Sequence, residues 1–133
     1  MEGKVLLIDF QITPNRLFIE MLHTWLSGNN FQVIEFCPDN LDFYKREDIR
    51  TKISIDKSVE LAKQVDVVFV HFGSMQRVDA AEVLNRFKST GAKVIVESVS
   101  SILFEAADYV FFMDVKEMQE NIKIFCREKN RGK

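Results

Sequence analysis

The sequence predicts an α/β fold: a three-layer α/β/α sandwich built around a five-stranded parallel sheet. Three observations predict it. Five short apolar runs alternate in strict order with segments of helical periodicity. The third, fourth and fifth runs are apolar on both alternating faces, as strands are when helices cover them on each side. Strand–helix–strand units joined by right-handed crossovers then stack into three layers. Five strands connected in this way favour the order 2-1-3-4-5, the flavodoxin-like arrangement.

The elements follow in order. Lys4–Phe10 is a continuous apolar run broken only by Asp9, and reads as the first strand. Thr13 can cap the helix that follows, and Pro14 suits its first position, where a missing N–H costs nothing. Leu17, Phe18, Met21, Leu22, Trp25 and Leu26 recur at three- and four-residue spacing and make one apolar stripe. Gly28, with Asn29 and Asn30, is expected to close the helix in a left-handed conformation. Phe31–Phe36 is the second strand, stopped by Cys37 and Pro38. Cys37–Asp56 reads as a long, charged loop insertion containing Phe43 and Tyr44. It is either a tolerated surface excursion or a partner-contact loop. A helix is expected from Ser54 or Asp56, with Ile55, Val59 and Ala62 on one side. Asp66–Phe72 is the third strand. Val78–Thr90 is a helix with Ala81, Leu84 and Phe87 on one face and Gly91 as its terminator. Lys93–Glu97 is the fourth strand, Ser101–Ala107 a short helix and Asp108–Met113 the fifth strand. The last helix runs over Val115–Arg127, with Val115, Met118, Ile122 and Phe125 facing inward.

Length and composition narrow the class. A chain of 133 residues fits one domain, 1–133, and is long enough to fold without a disulfide or metal staple. Apolar residues make up 47%, which argues against disorder. Twelve phenylalanines are many for this length and suggest a bulky core or an aromatic face for a partner. With 18 basic and 20 acidic residues the net charge is −2, so no basic field points to nucleic acid. The basic tail, 128–133, reads as a solvated helix end. Cys37 and Cys126 are far apart and lack metal-site spacing. No leader or membrane-length apolar run is visible, so a reduced, cytoplasmic protein is expected.

Topology places the candidate site. In open α/β sheets a ligand sits beyond the carboxyl ends of the strands where their order reverses, here between the first and third. Asp9, Gln11, Thr13, Asn15 and Arg16 should come to that crevice from the first strand and its loop. His71 and Ser74 come from the third, Glu97 and Ser98 from the fourth, and Asp114 from the fifth. No glycine lets a pyrophosphate approach after the first strand, and no G-x-G-x-x-G or P-loop pattern occurs. Neither a cofactor, a metal site nor a catalytic set is assigned.

The patterns KVLLID in the first strand, DVVFV in the third, GAKVIV into the fourth and AADYVFF into the fifth carry a family likeness. Over most of residues 4–127 the chain resembles the receiver domain of two-component response regulators. That family uses an acidic pair after the first strand to help bind Mg²⁺ and a phospho-accepting aspartate at the end of the third. It also uses a hydroxyl residue after the fourth and a lysine after the fifth. Here Asp9 matches the first acid, but Phe10 stands at the second. His71 stands at the acceptor position, and Glu97 or Ser98 at the hydroxyl. Phe112 or Met113 stands where the lysine would be. Too few hard oxygen ligands remain for Mg²⁺, and charge developing on a phosphoryl group would lack counter-charge. The resemblance therefore implies a degenerate receiver, or pseudo-receiver, a signal-transduction module that docks a protein partner or forms a homodimer.

Two further readings stay open. One is a flavodoxin-like domain binding a phosphate-containing ligand or cofactor in the crevice. The other is an acid–base enzyme using Asp9, His71 and Glu97, which requires those side chains to converge. An aromatic plug of Phe10, Phe72 and Phe112 is expected to close the crevice.

Overall fold

The computed structural model describes residues 2–10, 16–38, 49–71, 77–97 and 105–130, without the side chains of 16, 50 and 77–79. In chain order the elements are β1 (Gly3–Asp9), α1 (Arg16–Gly28), β2 (Phe31–Phe36), α2 (Ile49–Ala62), β3 (Val67–His71), α3 (Arg77–Ser89), β4 (Lys93–Glu97), β5 (Tyr109–Phe111) and α4 (Val115–Asn130). The five strands form one sheet in the order β2-β1-β3-β4-β5, and every neighbouring pair is parallel. This is the predicted α/β architecture and strand order.

Strand alternation sorts the core into two layers, because successive side chains point to opposite faces. Leu6 and Ile8 of β1, Val68 and Val70 of β3, and Val94 and Val96 of β4 face one side. There they pack with Val59 and Ala62 of α2 and Ala80, Val83, Leu84 and Phe87 of α3. Val5, Leu7, Val67, Phe69 and Ile95 face the other. They meet Ile19, Leu22 and Leu26 of α1 and Met118, Ile122 and Cys126 of α4. Both layers consist of almost fully buried aliphatic and aromatic side chains.

Several boundaries and faces differ from the sequence-based expectation. On α1, Leu17 and Met21 are 70% and 64% exposed, while Ile19 is buried. The apolar residues of this helix spread over about half its circumference at about 100° per residue, and only the side of that arc carrying Leu22, Leu26 and Ile19 is fully buried against the sheet. Gly28 stays helical. The left-handed residue is Asn30, with φ 69°, and Asn29 Nδ2 donates to the Trp25 carbonyl at 2.7 Å. The helix placed at Ser54 or Asp56 begins at Ile49, so the second half of the expected 37–56 loop is helical up to Asp56. Ile49 and Ile53 are 65% and 58% exposed, whereas Thr51 is buried and Ile55 packs against the core, so this end of the helix rests on the sheet along one side. The rest of the expected insertion, 39–48, lies outside the described residues, as does most of the helix expected at Ser101–Ala107.

On α3, Ala80 and Val83 are buried, and Ala81 is only half-buried. Gly91 does terminate this helix, with φ 89°. Strand β5 is shorter than expected and stops at Phe111, before the left-handed Met113 (φ 68°). In α4, Phe125 is half-buried and packs against the core layer as expected, Cys126 beside it is buried, and Val115 is 42% exposed. This helix continues to Asn130, so the first half of the expected 128–133 tail is helical. None of the helices, over the described residues, is long and apolar enough to cross a membrane.

Two aspartates fasten the amino ends of strands. Asp66, just before β3, accepts the Lys4 N–H of β1 at 2.9 Å. Asp108, just before β5, accepts the Val94 N–H of β4 at 2.7 Å. Each supplies an acceptor where the parallel ladder has run out of carbonyls.

Gly3 allows α4 to come close. A Cβ on it would lie 2.7 Å from Cys126 Sγ. Both cysteines are thiols, with Cys37 half-buried and Cys126 buried. Burial first, then the charges of Asp66 and Glu2, push the Cys126 thiol up to about 12, so it carries almost no thiolate at neutral pH. Alkylation followed by mass spectrometry is expected to modify Cys37 in the native protein and Cys126 only in denaturant. Equal labelling of both in native buffer would contradict this packing.

Candidate functional site

The carboxyl ends of β1, β3 and β4 are in register: Asp9 lies beside His71, and His71 beside Glu97. Each of the three is two residues beyond a member of the same layer, namely Leu7, Phe69 and Ile95. They therefore project to the α1/α4 side of the sheet. His71 Nδ1 stands 3.4 Å from Asp9 Oδ1 and 3.9 Å from Glu97 Oε2. The first distance is at the long end for a hydrogen bond, and the second is an ion-pair contact. Asp9 is buried, and the side chains of His71 and Glu97 are 13% and 22% exposed. Phe111 of β5 continues the row beside Glu97.

Beneath the row lies an aromatic cluster. Phe18 of α1 stacks on Phe111 at 5.8 Å and packs on Phe69 at 6.0 Å, and Phe69 meets Phe111 at 6.1 Å. The rings that close this part of the molecule are therefore not those of the expected plug. Phe10 is buried on the opposite face, edge-on to Phe36 at 6.4 Å. Phe112 is 41% exposed, and Phe72 lies outside the described residues. The parity of the strands explains the difference: Phe10 and Phe112 are each one residue out of step with the Asp9 row.

This apolar floor sets the electrostatics. Burial would lower the His71 pKa, but the hydrogen bond to Asp9 and the charges of Glu97 and Asp9 outweigh it. The imidazole ends above its ordinary 6.5. Burial also raises the Glu97 carboxyl above 4.5. The charge of His71 opposes that rise and the charge of Asp9 adds to it. The row is thus an imidazole held between two carboxyl groups, with His71 and Glu97 each retaining its proton more tightly than usual.

The other predicted site residues fare differently. Gln11, Thr13, Ser74 and Ser98 lie outside the described residues, as does Asn15. Arg16 opens α1. Asp114 is engaged as a helix cap, its Oδ1 accepting the Glu117 N–H at 2.9 Å. His23 sits 3.1 Å from Glu35 of β2 in a half-exposed pair. Among the described residues, no group of three or more His, Cys, Asp or Glu side chains is placed to hold a metal ion.

Comparison with known proteins adds the fold. No family model matches the chain, and no curated protein does. A solved structure does. It is the crystal structure of a 3-dehydroquinate dehydratase-like protein from Bifidobacterium longum, with a TM-score of 0.53 and 11% sequence identity, over 94% of this chain and 93% of that one. At that identity the likeness shows a shared α/β fold and carries no chemistry across.

Proposed function

We propose that this is a receiver-like regulatory domain that acts by binding a protein partner and does not accept a phosphoryl group at the end of β3. The observation that supports it is His71 at the acceptor position, clasped by Asp9 and Glu97. An incoming phosphoryl group would meet two carboxyl groups over an apolar floor, with the His71 imidazole as the one basic group of the row. The β5–α4 junction fits a docking role: Phe112, Met113 and Val115 are 41%, 80% and 42% exposed, and Met113 is held in a left-handed conformation unusual for its type. A second copy of the chain is one such partner.

Intact-mass measurement after incubation with acetyl phosphate and Mg²⁺ tests the first half. No phosphoryl adduct is expected, and one located on an aspartate of the crevice overturns the reading. Sedimentation tests the second. Met113→Asp places a charge on the junction with a residue that tolerates this backbone conformation, and should weaken any concentration-dependent association.

Acid–base chemistry on a small ligand is the second reading, favoured by the convergence of Asp9, His71 and Glu97 in one row. It predicts a bell-shaped pH–rate profile once a substrate is found. A cofactor-binding variant predicts visible absorbance in the purified protein.

A further inference from the structure

We propose that the cavity at the amino ends of β1 and β3 binds a small phosphate monoester that also carries a hydroxyl group. The site lies apart from Asp9 and His71, which stand at the opposite ends of the same two strands. It therefore depends on neither reading above.

Three stretches of chain build the wall. Gly3 and Lys4 open β1, Lys63–Asp66 link α2 to β3, and Lys129 and Asn130 end α4. Gly3 is what lets α4 come this close, since a side chain there would strike Cys126. The enclosed volume of about 310 Å³ is at the small end of the range for ligand sites, which suits a ligand of a few carbons.

The lining holds three ammonium groups, from Lys4, Lys63 and Lys129, against the one carboxylate of Asp66. Lys63 Nζ meets Glu60 at 2.8 Å, but the two side chains are 57% and 69% exposed, so this pair is weak and readily exchanged. Lys129 Nζ donates to the Gly91 carbonyl, which leaves its charge uncancelled. Lys4 Nζ has no partner among the described residues. Lysines at the ends of α2 and α4 also complement the helix dipoles, and that is reason enough for Lys63 and Lys129. Lys4 opens a strand and has no such reason.

Asp66 supplies the second, independent observation. It is 8% exposed, and its Oδ2 accepts the Lys4 N–H at 2.9 Å and the Asn130 amide at 3.4 Å. Its Oδ1 accepts no hydrogen bond among the described residues. A buried carboxylate oxygen left open calls for a donor, and this residue lines the cavity. A bare anion drawn in by the lysines would be repelled by Asp66. A ligand that offers an anionic group to the lysines and a hydroxyl to Asp66 satisfies both. Phosphate fits the first role, because lysine binds it as a point charge and a dianion matches several ammonium groups at once.

The test is NMR titration of the isotope-labelled full chain at constant ionic strength and about pH 8, where phosphate monoesters are dianions. The probes are glycerol 3-phosphate, methyl phosphate, which has no hydroxyl, and glycerol, which has no charge. Glycerol 3-phosphate is expected to shift the Lys4, Val65, Asp66 and Asn130 amides together. It should bind about tenfold tighter than methyl phosphate, the effect of one hydrogen bond to a charged group. Glycerol should shift none of these amides. Lys4→Gln should weaken glycerol 3-phosphate about threefold. Lys123→Gln, an equal change of charge on α4 over the Trp25 ring, should not weaken it. Asp66→Asn should erase the preference for the hydroxylated ester while strengthening methyl phosphate, a pattern that loosened packing does not produce. If Asp66→Asn fails to fold, the wild-type preference and the two lysine variants decide. No saturable shift with either ester, equal affinity for both, equal weakening by Lys4→Gln and Lys123→Gln, or shifts centred on Asp9 and His71 would each overturn the site. A phosphoryl adduct after acetyl phosphate, or no association in sedimentation, would count against the regulatory reading alone.

Discussion

Phe69→Ala should destabilise the protein by about 3–5 kcal/mol, the range for removing a large aromatic side chain from a packed core. Phe69 is fully buried at the centre of β3, the middle strand of the sheet. Its ring meets Phe18 of α1 and Phe111 of β5, so one deletion strips contacts from three elements. Aromatic pairs of this kind add about 0.5–1.5 kcal/mol each beyond area burial. The cavity would open in the layer that His71 overlies, and the surrounding side chains, Met118 among them, would fill it only in part. In urea the transition midpoint should fall with the slope unchanged. A loss below about 1 kcal/mol, the size of an ordinary surface change, would mean that the cluster is not packed as described.

Asp66→Ala is the second large effect, at about 1.5–3 kcal/mol, the range for a hydrogen bond to a charged group. Asp66 is 8% exposed. Its Oδ2 accepts the Lys4 N–H of β1 at 2.9 Å and the Asn130 amide at the end of α4 at 3.4 Å. Truncation leaves the Lys4 N–H without its acceptor and frees the last turn of α4 from the sheet. A cavity of about 310 Å³ lined by Lys4, Lys63, Asp66, Lys129 and Asn130 adjoins this point, so water can replace part of the loss. Asp66→Asn keeps an accepting oxygen and should recover much of the difference, as read by urea denaturation of the two variants. Equal losses for Ala and Asn would show that charge, not the hydrogen bond, is what matters there.

The two variants bracket what could be read in advance. The strand carrying Phe69 was legible because an unbroken Val-Val-Phe-Val run suits only a strand buried on both faces. Asp66 was in view as part of the same run but was not recognised as a fastener. The available signal was its repetition: an aspartate stands immediately before the apolar run of β3 and again before that of β5. Helix faces were legible to within a flank. Met118 and Ile122 point inward as periodicity predicts, whereas Leu17 and Met21 do not, because an apolar arc wider than the contact surface leaves one edge in solvent.

The candidate site divides in the same way. Asp9, His71 and Glu97 could each be assigned to a strand end, and the strand order sets those three ends side by side. By itself, then, the sequence determined the layers, the strand order and which edge carries the polar groups, since these follow from local periodicity and chain connectivity. Only the tertiary structure decided that the three side chains share a face and the His71 imidazole stands between two carboxyl groups, with Phe18, Phe69 and Phe111 rather than Phe10 and Phe112 beneath them. Those outcomes depend on the register between strands distant in sequence, where a slip of one residue sends every side chain to the opposite side of the sheet.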